Sequence, residues 1–297
     1  MSKPSSRDKW AEWVLGRSHA DDAEAKRRSL EFLGPIRDRV LENARIRPGE
    51  VVLDVGAGDG LIAFAAMPRV GESGRVVFCD VSQDLLDHCR NAAQELGVAE
   101  RAEFVRGAAE DLSPVLDRSV DVVTTRSVLI YVQGKDAAFR EFYRVLRPKG
   151  RLSILEPINN YFPDDMDDFW GFDARPVRDL VEKIWVSEGW DASNHPNDPM
   201  MNFNERDLLR HAEAAGFAEV HVELVIDVEP GTWVEDWDRL LGTAPNPNAP
   251  TTEEAIATAL TPEEAARFEA HLRPLADAGQ GLKRSAFAYL WAVKSSP

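Results

Sequence analysis

The sequence predicts an α/β protein built on a doubly wound, mostly parallel sheet, and three observations predict it. Short apolar runs at about 50–55, 75–80, 102–106, 120–125 and 151–156 alternate with helical stretches near 60–67, 82–97 and 135–147. Such alternation puts helices on both faces of a parallel sheet. The first run breaks into alternate glycines, and the second closes on an acid. Loops of that kind mark the carboxyl ends of the strands, where open α/β sheets hold their ligands.

Taken in order, residues 1–45 form a helical lead-in. Leu30, Leu33, Ile36, Val40 and Leu41 recur at spacings that make one apolar face. The first strand leads into Asp54-Val55-Gly56-Ala57-Gly58-Asp59-Gly60, and Leu61 to Ala66 starts a helix whose positive end faces the same crevice. Glycine leaves the loop free to turn sharply and keeps side chains away from a ligand. Asp54 separates this loop from a dinucleotide-binding one, which is G-x-G-x-x-G after a strand that stays apolar. A carboxylate there repels a diphosphate and attracts a cation, by about 4 kcal/mol for unit charges ~4 Å apart at an effective dielectric of 20. Asp80 lies 20 residues beyond Gly60 and ends Arg75-Val76-Val77-Phe78-Cys79, where the second strand of such folds offers an acid to ribose hydroxyls. In a purely structural reading, Asp54 and Asp80 cap the helices that follow them.

On these residues the segment from about Arg45 to Glu156 resembles the class I S-adenosylmethionine-dependent methyltransferases, within them the small-molecule group that includes the ubiquinone and menaquinone enzymes. The resemblance implies a seven-stranded Rossmann-like sheet, with 220–228 and 285–293 as its last two strands and the helix 204–215, stopped by Gly216, before them. It implies that Asp54, Gly56, Gly58 and Gly60 lie under the methionine part of the cofactor S-adenosylmethionine, and that Asp80, followed by Val81, holds the ribose. Gly107-Ala108-Ala109-Glu110-Asp111-Leu112 matches the element beside the adenine, except that Ala108 stands where an acid usually takes the amino group. That contact then falls to backbone or to Glu110. The stretch 121–131, with Arg126, resembles the one that supports the cofactor amine, and Arg147 to Arg151 the turn into strand five. An N-terminal helix of this family can close over the cofactor, which makes Arg17 a candidate clamp for the methionine carboxylate, with Trp10 and Trp13 on one helix face.

With 35 basic and 51 acidic residues the 297-residue chain carries a net charge of −16, which opposes long-range attraction to nucleic acid or an anionic membrane. Lys26-Arg27-Arg28, with Glu24 and Glu31 near, reads as a solvated face. No apolar run approaches the ~20 residues of a membrane span, and the first ten residues lack a signal-peptide core, so the expected location is the cytoplasm. Cys79 and Cys89 show no metal spacing and read as buried free thiols; no metal is expected.

Acceptor choice is assigned to two insertions in a single catalytic domain, 46–297, that form a helical cap at about 157–201 and 233–283. The first has a helix around Val177 to Glu188, and the second a helix start at Thr261-Pro262-Glu263-Glu264. If the acceptor is a hydroxyl, a base must take its proton, and His195 is the loop histidine best suited to that. Tyr131 and Tyr161, just past strands four and five, are expected on the acceptor side. The other histidines read as structural, with His211 among polar neighbours and His221 on the polar side of its strand. The expected partner is a small organic molecule that receives a methyl group on oxygen, nitrogen or carbon. The alternatives are an NAD-dependent oxidoreductase on a related sheet, or a protein of this fold that binds the cofactor without transferring its methyl. Eight tryptophans are read as cap packing or as a contact within a homo-oligomer.

Overall fold

The structure is a computed structural model that describes residues 7–17, 23–162, 166–188, 196–231 and 236–296. The chain divides into two compact units. The first comprises residues 1–158, 203–224 and 287–297, and the second comprises 159–202 and 225–286.

In the first unit, helices α1 (Lys9–Arg17) and α2 (Ala23–Ala44) precede β1 (Val51–Val55), α3 (Leu61–Val70), β2 (Arg75–Asp80) and α4 (Gln83–Glu95). Then come β3 (Ala102–Arg106), β4 (Val120–Arg126), α5 (Lys135–Val145) and β5 (Leu146–Pro157). With β6 (Phe217–Pro230) and β7 (Leu282–Lys294) the sheet order is β3-β2-β1-β4-β5-β7-β6. The first five strands are parallel, and β7 pairs antiparallel to β5. Strand order reverses between β1 and β4, and open α/β sheets bind ligands beyond the carboxyl ends of the strands at such a switch point. Val51 to Val55 are all buried, as burial on both faces demands.

Local chemistry explains most boundaries. Ser82 caps α4 by accepting the Leu85 N–H, and Gly216 ends the helix Glu205–Ala215 at φ +101°. Helix α5 stops at Val145, short of the expected 147. Pro148 disfavours a helical residue before it, and Leu146 pairs with Val120 instead, next to a bulge. On α2, Ile36, Val40, Leu41 and Ala44 are buried, and Leu30 is exposed. Arg27 pairs with Glu31 on the exposed side, as its composition suggests.

The second unit combines both insertions. A short hairpin, Asp168–Phe169 with Phe172–Asp173, accompanies helices Arg178–Ser187, Trp237–Gly242, Thr252–Ala259 and Pro262–Asp277. Phe169, Phe172, Leu180, Ile184, Trp237, Phe268 and Leu272 share one core drawn from both segments. Thr251 with Glu254, and Thr261 with Glu264, form reciprocal caps at two helix starts. No helix among the described residues is long and apolar enough to cross a membrane.

Thr125 Oγ1 on β4 is a buried side-chain oxygen without a hydrogen-bond partner among the described residues. An unmet buried hydroxyl costs about 1–3 kcal/mol, and valine keeps its shape. Thr125→Val is expected to raise the unfolding free energy by about 1 kcal/mol, read as a higher urea midpoint for the full chain.

Candidate functional site

The loop after β1 turns on three glycines with left-handed backbone: Gly56 at φ +67°, Gly58 at +57° and Gly60 at +88°. A Cβ on Gly56 would lie 2.3 Å from Val128 Cγ2, and one on Gly60 2.4 Å from the Phe64 ring, so packing requires both. At Gly58 the nearest atom would be 4.0 Å away. Among the described residues nothing lies closer to the side where a Gly58 side chain would stand, so a ligand can approach its backbone. Ala57 N–H donates to Cys79 O at 3.0 Å, which ties the loop to β2. Helix α3 begins at Gly60 without a side-chain cap, and its first turn carries no acid.

Three buried acids stand at the carboxyl edge of this sheet. Asp54 accepts a hydrogen bond from Thr124 Oγ1 on β4 at 2.8 Å. Its carboxyl is sealed at 2% exposure rather than presented at the loop surface. Burial lifts it to about 7, with Thr124, Arg126 and Ala63 pulling the other way. Asp80 accepts from Gly58 N–H and from Ser82 N–H, each at 2.9 Å, and burial raises it as well. Asp80 therefore fastens the glycine loop, while Ser82 caps α4. Ser82 Oγ also donates to Asp8 Oδ2 at 2.7 Å, and Asp8 caps α1 through the Trp10 and Ala11 amides. Burial opposes ionisation of Asp8, but those bonds outweigh it and hold its carboxyl below the usual range. The third acid, Glu156, accepts from the amides of Val128, Leu129 and Ile130 at 2.9–3.1 Å, and burial lifts it to about 7.

The remaining candidates divide by place. Val81 is exposed, and its carbonyl accepts from Arg106 Nε. Gly107 N–H donates to Asp80 O at 3.1 Å, a one-residue bridge joins Ala108 to Asp111, Ala109 is buried and Glu110 is exposed. Arg126 ends β4 and acts on Asp54 through its charge. Tyr131 lies edge-on to Trp10 and Trp13, with ring centroids 5.2 and 6.0 Å away. Tyr161 belongs to the second unit, where it is exposed against Phe162. Arg17 ends α1, but its side chain, like all of His195, lies outside the described residues. His221 stacks on Trp291 at 5.1 Å and His211 on Phe139 at 5.8 Å. His211 also lies within reach of the charges of Arg210, Asp136, Asp207 and Lys135. Cys79 and Cys89 are buried and free, and burial pushes the Cys79 thiol up to about 12. Among the described residues no group of three His, Cys, Asp or Glu side chains is placed to hold a metal.

Sequence reasoning missed Glu156, Thr124, Ser82 and Asp8. Glu156 does carry a readable signal, an acid closing the mostly apolar run Leu152-Ser153-Ile154-Leu155, as Asp80 closes its own.

The sheet order, the glycine loop and the acid ending β2 define the class I methyltransferase fold. Residues 52–150 match the family model described as a methyltransferase domain. Over 111 residues the chain is 39% identical to the ubiquinone/menaquinone biosynthesis C-methyltransferase UbiE of Escherichia coli O1:K1, which is 37% of this chain and 44% of that protein. The chain thus spans less than half the length of the curated relatives it matches. Among solved structures it resembles phosphoethanolamine N-methyltransferase 2 of Haemonchus contortus in complex with S-adenosyl-L-methionine. That match has a TM-score of 0.53 at 17% identity and covers 97% of this chain and 56% of that one. It also resembles the [4+2]-cyclase SpnF, with a TM-score of 0.50 at 21% identity, covering 89% of this chain and 82% of that one.

Asp54 binds its proton more tightly in the folded chain than in the unfolded one. Its contribution to stability is therefore full below about pH 4 and is lost as pH rises through about 7. Glu156 has the same sign. Asp54→Asn is expected to remove part of the decline in unfolding free energy between pH 4 and 7, measured by urea titration at several pH values. An unchanged slope contradicts this.

Proposed function

We propose that this chain transfers a methyl group from S-adenosylmethionine to an oxygen, nitrogen or carbon atom of a small organic molecule. The observation that carries the reading is the bare backbone at Gly58 beside the Asp80 carboxylate. When bound, the cofactor supplies an electrophilic methyl group on a positively charged sulfur. The residues fit it: Gly58 leaves room, the uncapped start of α3 suits a carboxylate, and the buried acids favour positive charge.

Each Asp80 oxygen takes one backbone bond and keeps a lone pair for a ribose hydroxyl. Asp54, Gly56 and Gly60 hold the loop that supports the methionine portion. Val81 offers apolar surface to the base, and the segment Gly107-Ala108-Ala109-Glu110 flanks it. Since Ala108 has no acceptor side chain, the adenine amino group is left to backbone carbonyls or to Glu110. Arg126 supports the amine side through its backbone, and Arg17 pairs with the methionine carboxylate. Direct displacement requires alignment and the exclusion of water rather than a covalent residue. Tyr131 and Tyr161 orient the acceptor, and His195 takes the proton from a hydroxyl acceptor.

The charge of −16 supports a neutral or cationic small molecule over a nucleic acid or an anionic membrane. A cytoplasmic location and self-association into a homo-oligomer belong to the same reading.

Calorimetry of the full chain is expected to show S-adenosylmethionine binding and none for NADH. Asp80→Asn should weaken that binding about 10–100-fold, as loss of charge-assisted hydrogen bonds does. Turnover should leave S-adenosylhomocysteine and an acceptor heavier by one methyl group in the mass spectrum. Tight NADH binding without any for S-adenosylmethionine would refute the proposal.

A further inference from the structure

We infer that Glu156 is a positioning residue for the cofactor site: its carboxylate fixes the turn after β4, and that turn forms one wall of the glycine loop. The inference rests on the function proposed above and assigns a role to a side chain outside the residues that the cofactor reading uses.

The turn runs from Ser127 to Tyr131. Three consecutive amides in it, those of Val128, Leu129 and Ile130, donate to the Glu156 carboxylate. Oε1 accepts the first two and Oε2 the third, so the whole carboxyl group is committed to this turn. Glu156 is itself fully buried at the end of β5, next to the strand from which the turn departs. Successive N–H groups aimed at one anion form a concave nest that a neutral or shorter side chain does not fill. Ser127 holds a left-handed backbone at φ +55° and donates its N–H to Leu155 O at 2.8 Å. A non-glycine residue keeps that conformation only where its surroundings enforce it, and bonds from the two adjacent residues of β5 do so here.

The two ends of the turn reach the site. The side chain of Val128 covers Gly56 so closely that no Cβ fits beneath it. Tyr131 packs edge-on against Trp10 and Trp13 of α1. Lys135, three residues beyond Val132, is buried and donates Nζ to the Val132 carbonyl at 2.9 Å, which continues the same restraint into α5. If the turn loosens, Val128 lifts from Gly56 and the loop loses the neighbour that sets its path. The geometry therefore links a side chain on β5 to cofactor affinity, without contact between that side chain and the cofactor.

The test is calorimetric titration of the 297-residue chain with S-adenosylmethionine, with melting temperatures recorded in parallel. Glu156→Gln keeps the oxygen that serves Val128 and Leu129 but turns an N–H toward the N–H of Ile130. Glu156→Ala removes every acceptor. Leu208→Ala, at a buried position on the helix Glu205–Ala215, provides a comparable loss of melting temperature away from the turn. The expected result is a graded loss of affinity, about 3–10-fold for Glu156→Gln and larger for Glu156→Ala, with Leu208→Ala binding as wild type does. Should Glu156→Ala fail to fold, Glu156→Gln decides. Wild-type affinity in Glu156→Gln, or a loss no greater than that of Leu208→Ala, overturns the positioning role and leaves the proposed function standing. A wild-type chain that does not bind S-adenosylmethionine overturns both.

Discussion

A carboxylate buried at the end of a parallel strand must find hydrogen-bond donors, and the nearest donors belong to the loops that leave the same edge of the sheet. Asp80 meets this demand with the amides of Gly58 and Ser82, one on each oxygen. The bond to Gly58 fixes the glycine loop against β2. The bond to Ser82 leaves that hydroxyl free to cap α4 and to reach Asp8 at the start of α1. One acid thereby registers the loop, a helix and the N-terminal segment around a single point.

The same device recurs along this edge. Asp54 takes the hydroxyl of Thr124 on the neighbouring β4, and Glu156 takes the amides of the turn after β4. Asp80 and Glu156 each gather a loop, while Asp54 ties β1 to β4 on either side of the point where strand order reverses. Burial raises the affinity of all three for protons. A cationic ligand reverses that tendency by favouring the ionised forms, whereas a diphosphate adds like charge to a poorly solvated region. The cofactor preference of the site is in this sense a property of the acids that build its loops.

The parallel core was legible because strands buried on both faces read as unbroken apolar runs, and an acid or a glycine within such a run stands out. Asp54, the glycines and Asp80 were found in that way. The partners of those acids were not legible, because they lie far off in the chain: Thr124 is 70 residues from Asp54, and Asp8 is 74 from Ser82. Glu156 showed the same pattern as Asp80, but its three donors lie 26–28 residues upstream, in a turn whose sequence resembles a continuing strand. The start of β5 was hidden by Pro148, which reads as a turn although the paired backbone begins before it. The two insertions were read together as a helical cap, but helical periodicity does not show which of their apolar faces share a core.

The most direct measurement is a crystal structure of the chain grown with S-adenosylhomocysteine. The nucleoside ribose is expected on the Asp80 carboxylate, both hydroxyls within hydrogen-bonding distance, with the amide of Gly58 still bonded to the same group. A nucleoside bound elsewhere, or an Asp80 side chain that turns away from Gly58 to leave the loop unfastened, would contradict that placement.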